Sequence, residues 1–460
     1  MANITRWKGI LKRQVAQGRD VLTGQWSGAE VLAACRSCRY LWRDRFWNPV
    51  QTIWAFLLQV LHDGSSCREA VAMVLAGAAA AEDDPKVSDD PSAYCQARGR
   101  LPLALLRQGV MTVGNRLRNN LRDVHTWCGR HVWLVDGTSC SMSDTPSLQA
   151  AFGQPDGQAK GCGFPVARIV AMFCWASGAV LEAAIGPYRQ SELSLWRSLW
   201  HLLSPGEIVL ADRYYCTYAD IAGLLARGCD CVFRLHQRRE RGFGKGKRLG
   251  KNDYLAQWER PKCNLRSRGT TPQQWATLPA QLTIRLLRLA VDIPGFRSRT
   301  IFVATTLLDP IAYRADEIAA LYRDRWLIEL RLRDIKITLG MDVLRGKTPD
   351  IVRKEIYMHL LAYNLLRALM WEAAAKHGRD LHRLSFAGTV DRLNAAIPYL
   401  RLYQGTHKAT RLYHLLLQWI AHDPNPDRPN RIEPRAVKRR PKQYAILNKP
   451  RNQMRMALLS

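Results

Sequence analysis

The spacing of apolar residues changes along the chain, and each change predicts a different kind of structure. Up to about residue 80, apolar positions recur at helical intervals. Asn48 to His62 is dense in aliphatic and aromatic residues, and Asp63-Gly64-Ser65 breaks the run. Ser66 with Glu69 then opens a capping-box pattern before an apolar stretch to Ala81. Glu82 to Ser92 is an acidic linker containing proline, and Leu101 to Asn120 returns to helical spacing. Short buried runs follow. Val132-Trp-Leu-Val-Asp136 is one, Ile169 to Trp175 and Val180 to Ile185 look like a hairpin pair, and Glu207-Ile-Val-Leu-Ala-Asp212 and Cys229 to Leu235 are further strands. Helical stretches at Ser191 to Leu203 and Thr217 to Arg227 lie between them. The order β-β-β-α-β-α-β predicts a mixed α/β core.

From His236 the pattern departs again. A Gly-rich basic run leads into strands at Tyr254 to Glu259, Leu282 to Val291 and Thr300 to Leu307, which predicts an all-β insertion. Ala315 to Leu339 reads as one long helix and Lys354 to Ala374 as another. From Asp423 onward the chain is rich in Pro, Asn, Lys and Arg and is expected to be disordered. The expected organisation is a helical DNA-binding region over 1–92, a helical connector over 93–130 and the first part of the α/β core over 131–235. The β-rich insertion over 236–311, a catalytic helix with C-terminal helices over 312–422 and a basic flexible tail over 423–460 complete it.

Charge narrows the partner. The 68 Lys and Arg exceed the 39 Asp and Glu by 29. Such an excess repels itself unless a polyanion offsets it, and double-stranded DNA is the expected polyanion. A membrane partner is not expected, because the longest apolar stretch, Ala167 to Ile185, contains Arg168, Glu182 and a Ser177-Gly178 break. Met1 to Gln14 is basic and amphipathic without the apolar region of a secretory signal, so a cytoplasmic protein, nucleoid-associated when on DNA, is expected. The 12 scattered cysteines fit a reducing compartment. Cys35-x-x-Cys38 with Cys229-x-Cys231 reads as free buried thiols, with a zinc site as the alternative. Arg36, Arg39, Arg43 and Arg45 ahead of the first helices read equally as part of a DNA-binding head or as the basic face of an ordinary bundle.

The candidate chemistry begins with Asp136 and Asp212, each ending a short buried strand, where α/β sheets present functional groups. Converging carboxylates repel unless a proton or a metal intervenes. Two divalent ions ~4 Å apart would suit them and would serve in-line phosphoryl transfer. Oxygen ligands favour Mg²⁺, with Mn²⁺ as substitute. Asp136-Gly137 reads alternatively as a plain turn former. On the long helix, with Tyr322 at zero, Arg325, Glu329, Arg333 and Lys336 fall at about 300°, 340°, 20° and 320°. Leu321, Ile328, Leu332, Ile335 and Leu339 fall at about 220–280°. A polar stripe therefore runs beside the apolar one, with Glu329 at the core margin; an ordinary surface helix with a Glu329–Arg333 pair is the alternative.

Tyr322-x2-Arg325-x3-Glu329-x6-Lys336 matches in full the Y-x2-R-x3-E-x6-K signature of bacterial cut-and-paste transposases of the insertion sequence four family, which the chain resembles. Leu-Val-Asp136-Gly-Thr and Leu-Ala-Asp212-Arg resemble that family's two aspartate motifs. Tyr94-Cys-Gln-Ala-Arg98, Leu344-Arg-Gly-Lys-Thr-Pro349 and Lys354-Glu-Ile-Tyr-Met-His-Leu-Leu-Ala-Tyr-Asn364 are also similar, so the resemblance spans about 50–445. It implies an RNase H-like core interrupted by a β insertion, with Asp136, Asp212 and Glu329 binding two Mg²⁺ ions. It further implies strand cleavage, a hairpin intermediate and joining of the 3′ ends to target DNA, with a homodimer expected on DNA. Tyr322, Arg325 and Lys336 would hold terminal phosphates, joined by Arg333, and Trp326 would stack near the strand end. An insertion tryptophan, Trp275 or Trp258, would hold a flipped base. Trp275, after a polar run, is expected to be exposed, and Trp258 to be core. A nuclease of the same fold and a non-catalytic DNA-binding derivative are the rival readings. Phe243-Gly-Lys-Gly-Lys-Arg248 reads as a basic loop tracking a DNA backbone, and His359 and Tyr363 as core residues satisfied locally.

Overall fold

The structure, a computed structural model, describes residues 24–62, 65–80, 87–262, 270–290, 300–426 and 447–459. Met1 to Gln14, Asp63-Gly64, residues 82–86 of the acidic linker and the basic Lys438 to Lys442 lie outside the described residues. The chain divides into two compact units. One contains described residues of 1–121, 177–182 and 331–425, the other those of 122–176, 183–330 and 426–460.

The first unit is helical. Asn48 caps the Pro49–Leu61 helix by accepting from the Gln51 amide at 3.0 Å, and Ser66 and Glu69 cap the Cys67–Ala80 helix reciprocally, as the sequence predicts. Arg36, Arg39, Arg43 and Arg45 are all exposed ahead of them. The Pro349–His377 helix begins five residues earlier than its apolar pattern, because Thr348 caps it with Pro349 in the first turn. It is buried along most of its length, and its polar residues find long-range partners. Asn364 donates to the Val180 and Val110 carbonyls and accepts from the Val180 amide, while Arg367 donates to the Ser177 carbonyl. His359 is satisfied locally by the Glu355 carbonyl, but Tyr363 reaches the distant Gly178 carbonyl at 2.9 Å.

The second unit is built on β-structure. The sheet strands are β1 (Val132–Met142), β2 (Val166–Cys174), β3 (Val180–Pro187, of which Val180–Glu182 belong to the first unit), β4 (Ile208–Ala211), β5 (Asp230–Arg234), β6 (Lys247–Gly250), β7 (Asp253–Glu259), β8 (Gln281–Ala290) and β9 (Thr300–Thr305). The sheet order is β3-β2-β1-β4-β5-β9-β8-β7-β6. β1, β4 and β5 run parallel, and β2 lies antiparallel to β1. All of β4 is buried, which is why its sequence is a continuous apolar run rather than an alternating one. The β-rich insertion contributes an antiparallel meander, β6 to β9, and its last strand pairs with β5, so it extends the core sheet. Short helices, Gln237–Glu240 and Pro272–Ala276, interrupt it.

The expected long helix is not continuous. It forms as Ala315–Arg323 and Trp326–Arg333, followed by a π-helical turn, Asp334–Thr338. Amides of Asp324, Arg325, Leu327 and Ile328 bond three residues back, which tightens the chain at the join. The Asp324 carboxylate is engaged by the Trp175 indole N–H at 3.0 Å. The expected disorder of the tail also fails at Arg451–Leu459, which is helical. That segment lacks proline and carries Arg, Gln, Met, Ala and Leu, all good helix formers. Cys35, Cys229 and Cys231 are buried free thiols and Cys38 is half-buried. Among the described residues, no helix is long and apolar enough to cross a membrane.

Candidate active site

The site starts from strand register. β1 and β4 pair in parallel through Val132↔Ile208, Trp133↔Val209 and Leu134↔Leu210. Asp136 and Asp212 each lie two residues beyond the last of these pairs. With a side-chain period of two, both aspartates are set to the face of Leu134 and Leu210, on strands about 4.8 Å apart. Asp212 follows the last residue of β4, as expected. Asp136 does not end its strand: β2 pairs with β1 from Trp133↔Cys174 to Ser141↔Val166 and carries it on to Met142. Asp136 stands instead where β4 departs.

Asp212 is close enough to perturb Asp136. Burial pushes Asp136 up to about 7. Its bond from the Gly137 amide at 2.8 Å acts the other way, Asp212 adds to the rise, Arg325 opposes it and Glu192 adds again. Asp212 accepts from the Tyr214 amide at 2.7 Å.

Glu192 was not a candidate from sequence. It opens the Glu192–Ser198 helix, and its carboxylate lies directly against Gly137: a Cβ there would be 2.7 Å from the Glu192 Cδ and Oε2. Burial raises its pKa, Arg168 at 3.9 Å counters and Asp212 adds. The only signal in the sequence was the glycine itself.

The helix-borne residues divide. Tyr322 is buried, and burial pushes its phenol up to about 12 against the pull of Arg325. It shares the Ala315–Arg323 helix with buried Ile318 and Leu321, so this end of the polar stripe is buried. Arg325 donates to Glu329 Oε1 at 2.7 Å, so Glu329 pairs backward to Arg325 rather than forward to Arg333. The charge of Arg325 acts on both Glu329 and Asp136. Leu321, Ile328, Leu332, Ile335 and Leu339 are all buried, as their spacing predicts. Trp326 is 44% exposed and Arg323 is exposed. Arg333 and Lys336 belong to the helical unit, where Lys336 pairs with Asp342 at 3.2 Å and Arg333 with Asp334 at 3.7 Å.

Both insertion tryptophans are half-buried, so Trp258 is not core and Trp275 is not fully exposed. The Arg239 guanidinium lies 3.9 Å from the Trp258 ring centroid, occupying the face that a core residue would bury. Trp275 rides on the Pro272–Ala276 helix beside Tyr218, at 6.3 Å between centroids. Arg260 fixes that helix by donating to the carbonyls of Trp275, Ala276 and Leu278.

Oxygen-only donors such as Asp136 and Asp212 suit a hard divalent cation. Among the described residues, no three His, Cys, Asp or Glu side chains are gathered closely enough to hold an ion as they stand. Glu329 is turned to Arg325 instead.

Residues 127–365 match the family described as "Transposase DDE domain". The chain is 28% identical over 362 residues to transposase InsG for insertion sequence element IS4 of Escherichia coli (strain K12), covering 77% of this chain and 78% of that one. It is 31% identical over 144 residues to the putative transposase InsZ of the same organism, covering 30% and 47%. Among solved structures, the piggyBac transposase synaptic complex with hairpin DNA aligns over 89% of this chain and 85% of that one, with a TM-score of 0.42 and 10% identity.

Proposed function

The chain belongs to the DDE transposase domain family, and from that premise we propose that it binds the terminal inverted repeats of a mobile element, cuts them and joins the 3′ ends to target DNA. Its core is RNase H-like. The observation that carries the reading is the register that sets Asp136 and Asp212 side by side beyond Leu134↔Leu210. Asp136, Asp212 and Glu329 would hold Mg²⁺, or Mn²⁺ in its place, and the metal would supply positive charge to an in-line phosphoryl transfer.

The remaining roles fall to the chain's own side chains. Arg325 and Lys336 bind terminal phosphates, Arg325 through a planar fork that matches phosphate oxygens. Tyr322 orients Arg325 from its buried position. A phosphate taken by Arg325 competes with Glu329 for the same guanidinium and so releases that carboxylate toward Asp136 and Asp212. Arg333 contacts the backbone, Trp326 packs near the strand end, and Trp275 or Trp258 stacks on a base flipped out during hairpin formation. Two copies act together on paired ends. The excess of 29 positive charges favours binding to a polyanion.

The test is to incubate the purified protein with Mg²⁺ and the inverted repeats flanking its own gene. Nicked, hairpin and strand-transfer species are expected in that order. Nicks without strand transfer on a plasmid would make the protein a nuclease, and binding without metal-dependent cleavage would leave it a DNA-binding derivative.

A further inference from the structure

We propose that the loop at 39–45 enters the minor groove of duplex DNA and that Leu41 wedges between two stacked base pairs there. The inference rests on the reading of the chain as a protein that binds double-stranded DNA.

The loop is pinned at both ends. The Gly28–Ser37 helix closes with the Arg39 amide on the Arg36 carbonyl and the Tyr40 amide on the carbonyl of buried Cys35, both at 2.9 Å. That closure needs a left-handed residue after the cap, usually glycine, and here Arg39 takes it at φ +53°. A bulky residue held in that conformation carries strain, which points to a use for its side chain. At the far end Phe46 meets Trp47 edge-on at 5.0 Å, and Trp47 packs at 5.1 Å on Tyr94, which is fully buried. Asn48 then caps the next helix.

Between the pins, Leu41 is 92% exposed. Its neighbours Tyr40 and Trp42 are half-buried with their rings 6.2 Å apart, so both turn to one side and Leu41 turns to the other. An isolated exposed leucine is ordinary on a protein surface. This one stands among four exposed arginines, Arg36, Arg39, Arg43 and Arg45, with Asp44 the sole carboxylate from Arg36 to Trp47. A single apolar side chain ringed by cations is a poor seat for another protein's apolar surface. It suits a narrow minor groove, whose concentrated negative potential draws arginines in. There an apolar side chain can enter between base pairs, unstack them and bend the duplex toward the protein. The pins matter because a floppy loop would lose much of that gain in ordering itself.

The experiment uses the full-length chain and duplexes carrying the inverted repeats that flank its gene, without divalent metal so that no strand is cut. The fluorescent base analogue aminopurine is placed at successive positions, and its emission rises where a step is unstacked. Wild type is expected to raise it at one step. Leu41→Ala is expected to lose that rise, with the salt dependence of binding unchanged because no charge is removed. Arg43→Ala and Arg45→Ala are each expected to make the slope of log affinity against log salt shallower by about 1. Leu41→Ala should melt at the wild-type temperature; a lower one means that the chain itself covers Leu41 and overturns the proposal. A rise that persists in Leu41→Ala overturns it too, as does a wild-type complex with no unstacked step or an unchanged salt slope in both arginine variants. If wild type binds no duplex, the underlying reading of the chain falls as well. If it binds and only these results fail, the present inference alone falls.

Discussion

The two halves of the candidate site are held by different forces. Asp136 and Asp212 ride on adjacent parallel strands, and the Leu134↔Leu210 pairing sets both at once. Moving either means breaking a backbone ladder in a buried sheet. Tyr322, Arg325 and Glu329 ride on a helix that stops at Arg323 and restarts at Trp326, and Glu329 is held by one ion pair at 2.7 Å. A half-exposed ion pair contributes little to stability and yields to a better partner. The strand half is therefore preformed, and the helix half answers to what arrives at Arg325.

The sharpest break of that contrast is at the carboxylates, where both halves should fail alike. Asp136→Asn, Asp212→Asn and Glu329→Gln each remove a ligating charge and keep the volume. Each is expected to abolish nicking of a labelled transposon end while gel-shift binding to that end persists. A variant that nicks at the wild-type rate takes its residue out of the ligand set.

The next effect belongs to the strand half alone. Burial first, and Asp212 with it, pushes Asp136 up to about 7. In the unfolded chain an aspartate releases its proton near ~3.9. Between about pH 4 and 7 the folded chain holds a proton that the unfolded chain has lost, so stability falls as pH rises through that window. Asp136→Asn removes the cost. Without metal it is expected to be more stable than wild type at pH 8, by at most ~4 kcal/mol, with no difference near pH 4. Mg²⁺ should then raise the melting temperature of wild type and not of the variant. A stability difference that stays flat from pH 4 to pH 8 would mean that Asp136 is not held at its strand position as an uncompensated carboxyl.

For the helix half, Arg325→Ala and Lys336→Ala are each expected to slow cleavage by roughly 10–100-fold, the loss of a charge-assisted bond to phosphate. Arg323→Ala, exposed and off the face, should leave the rate unchanged. Equal losses at Arg323 and Arg325 would mean that the helix presents no specific face to DNA.

The strand half was also the more legible in sequence. A short apolar run ending in a carboxylate announces a buried parallel strand, and a period of two then fixes which face the carboxylate takes. What stayed hidden depends on distant partners. β1 runs past Asp136 because β2 pairs with it, and no local pattern says so. The helix break at Asp324 is invisible because helical periodicity continues through it, while the residue that engages Asp324 is Trp175, 149 positions away. Glu192 reads as an ordinary acidic residue in a first helical turn, and Asp136-Gly137 reads as a turn, so neither points to the other. Trp258 looked like a core residue because nothing nearby in sequence announces that Arg239 lies over its face.

The last comparison tests the insertion. Hairpin formation bends a duplex end sharply back, and flipping one base out of the stack relieves that geometry. An aromatic ring that holds the flipped base contributes about 1–3 kcal/mol, roughly 5- to 150-fold in rate if all of it acts in that step. Trp258 already carries a guanidinium at 3.9 Å from its ring centroid, so a base must displace Arg239 to stack there. Trp275 is half-buried on a short helix fixed by Arg260, with Tyr218 tilted beside it at 48°. It is the better prepared platform. Trp275→Ala is expected to slow hairpin formation far more than first-strand nicking, with the fold intact, as followed by the time course of both species on one labelled end. A selective hairpin block in Trp258→Ala, with Trp275→Ala silent, would exchange the two assignments and imply that Arg239 swings away on binding DNA. If neither substitution alters the hairpin step, the insertion does not act through a stacking tryptophan at either position.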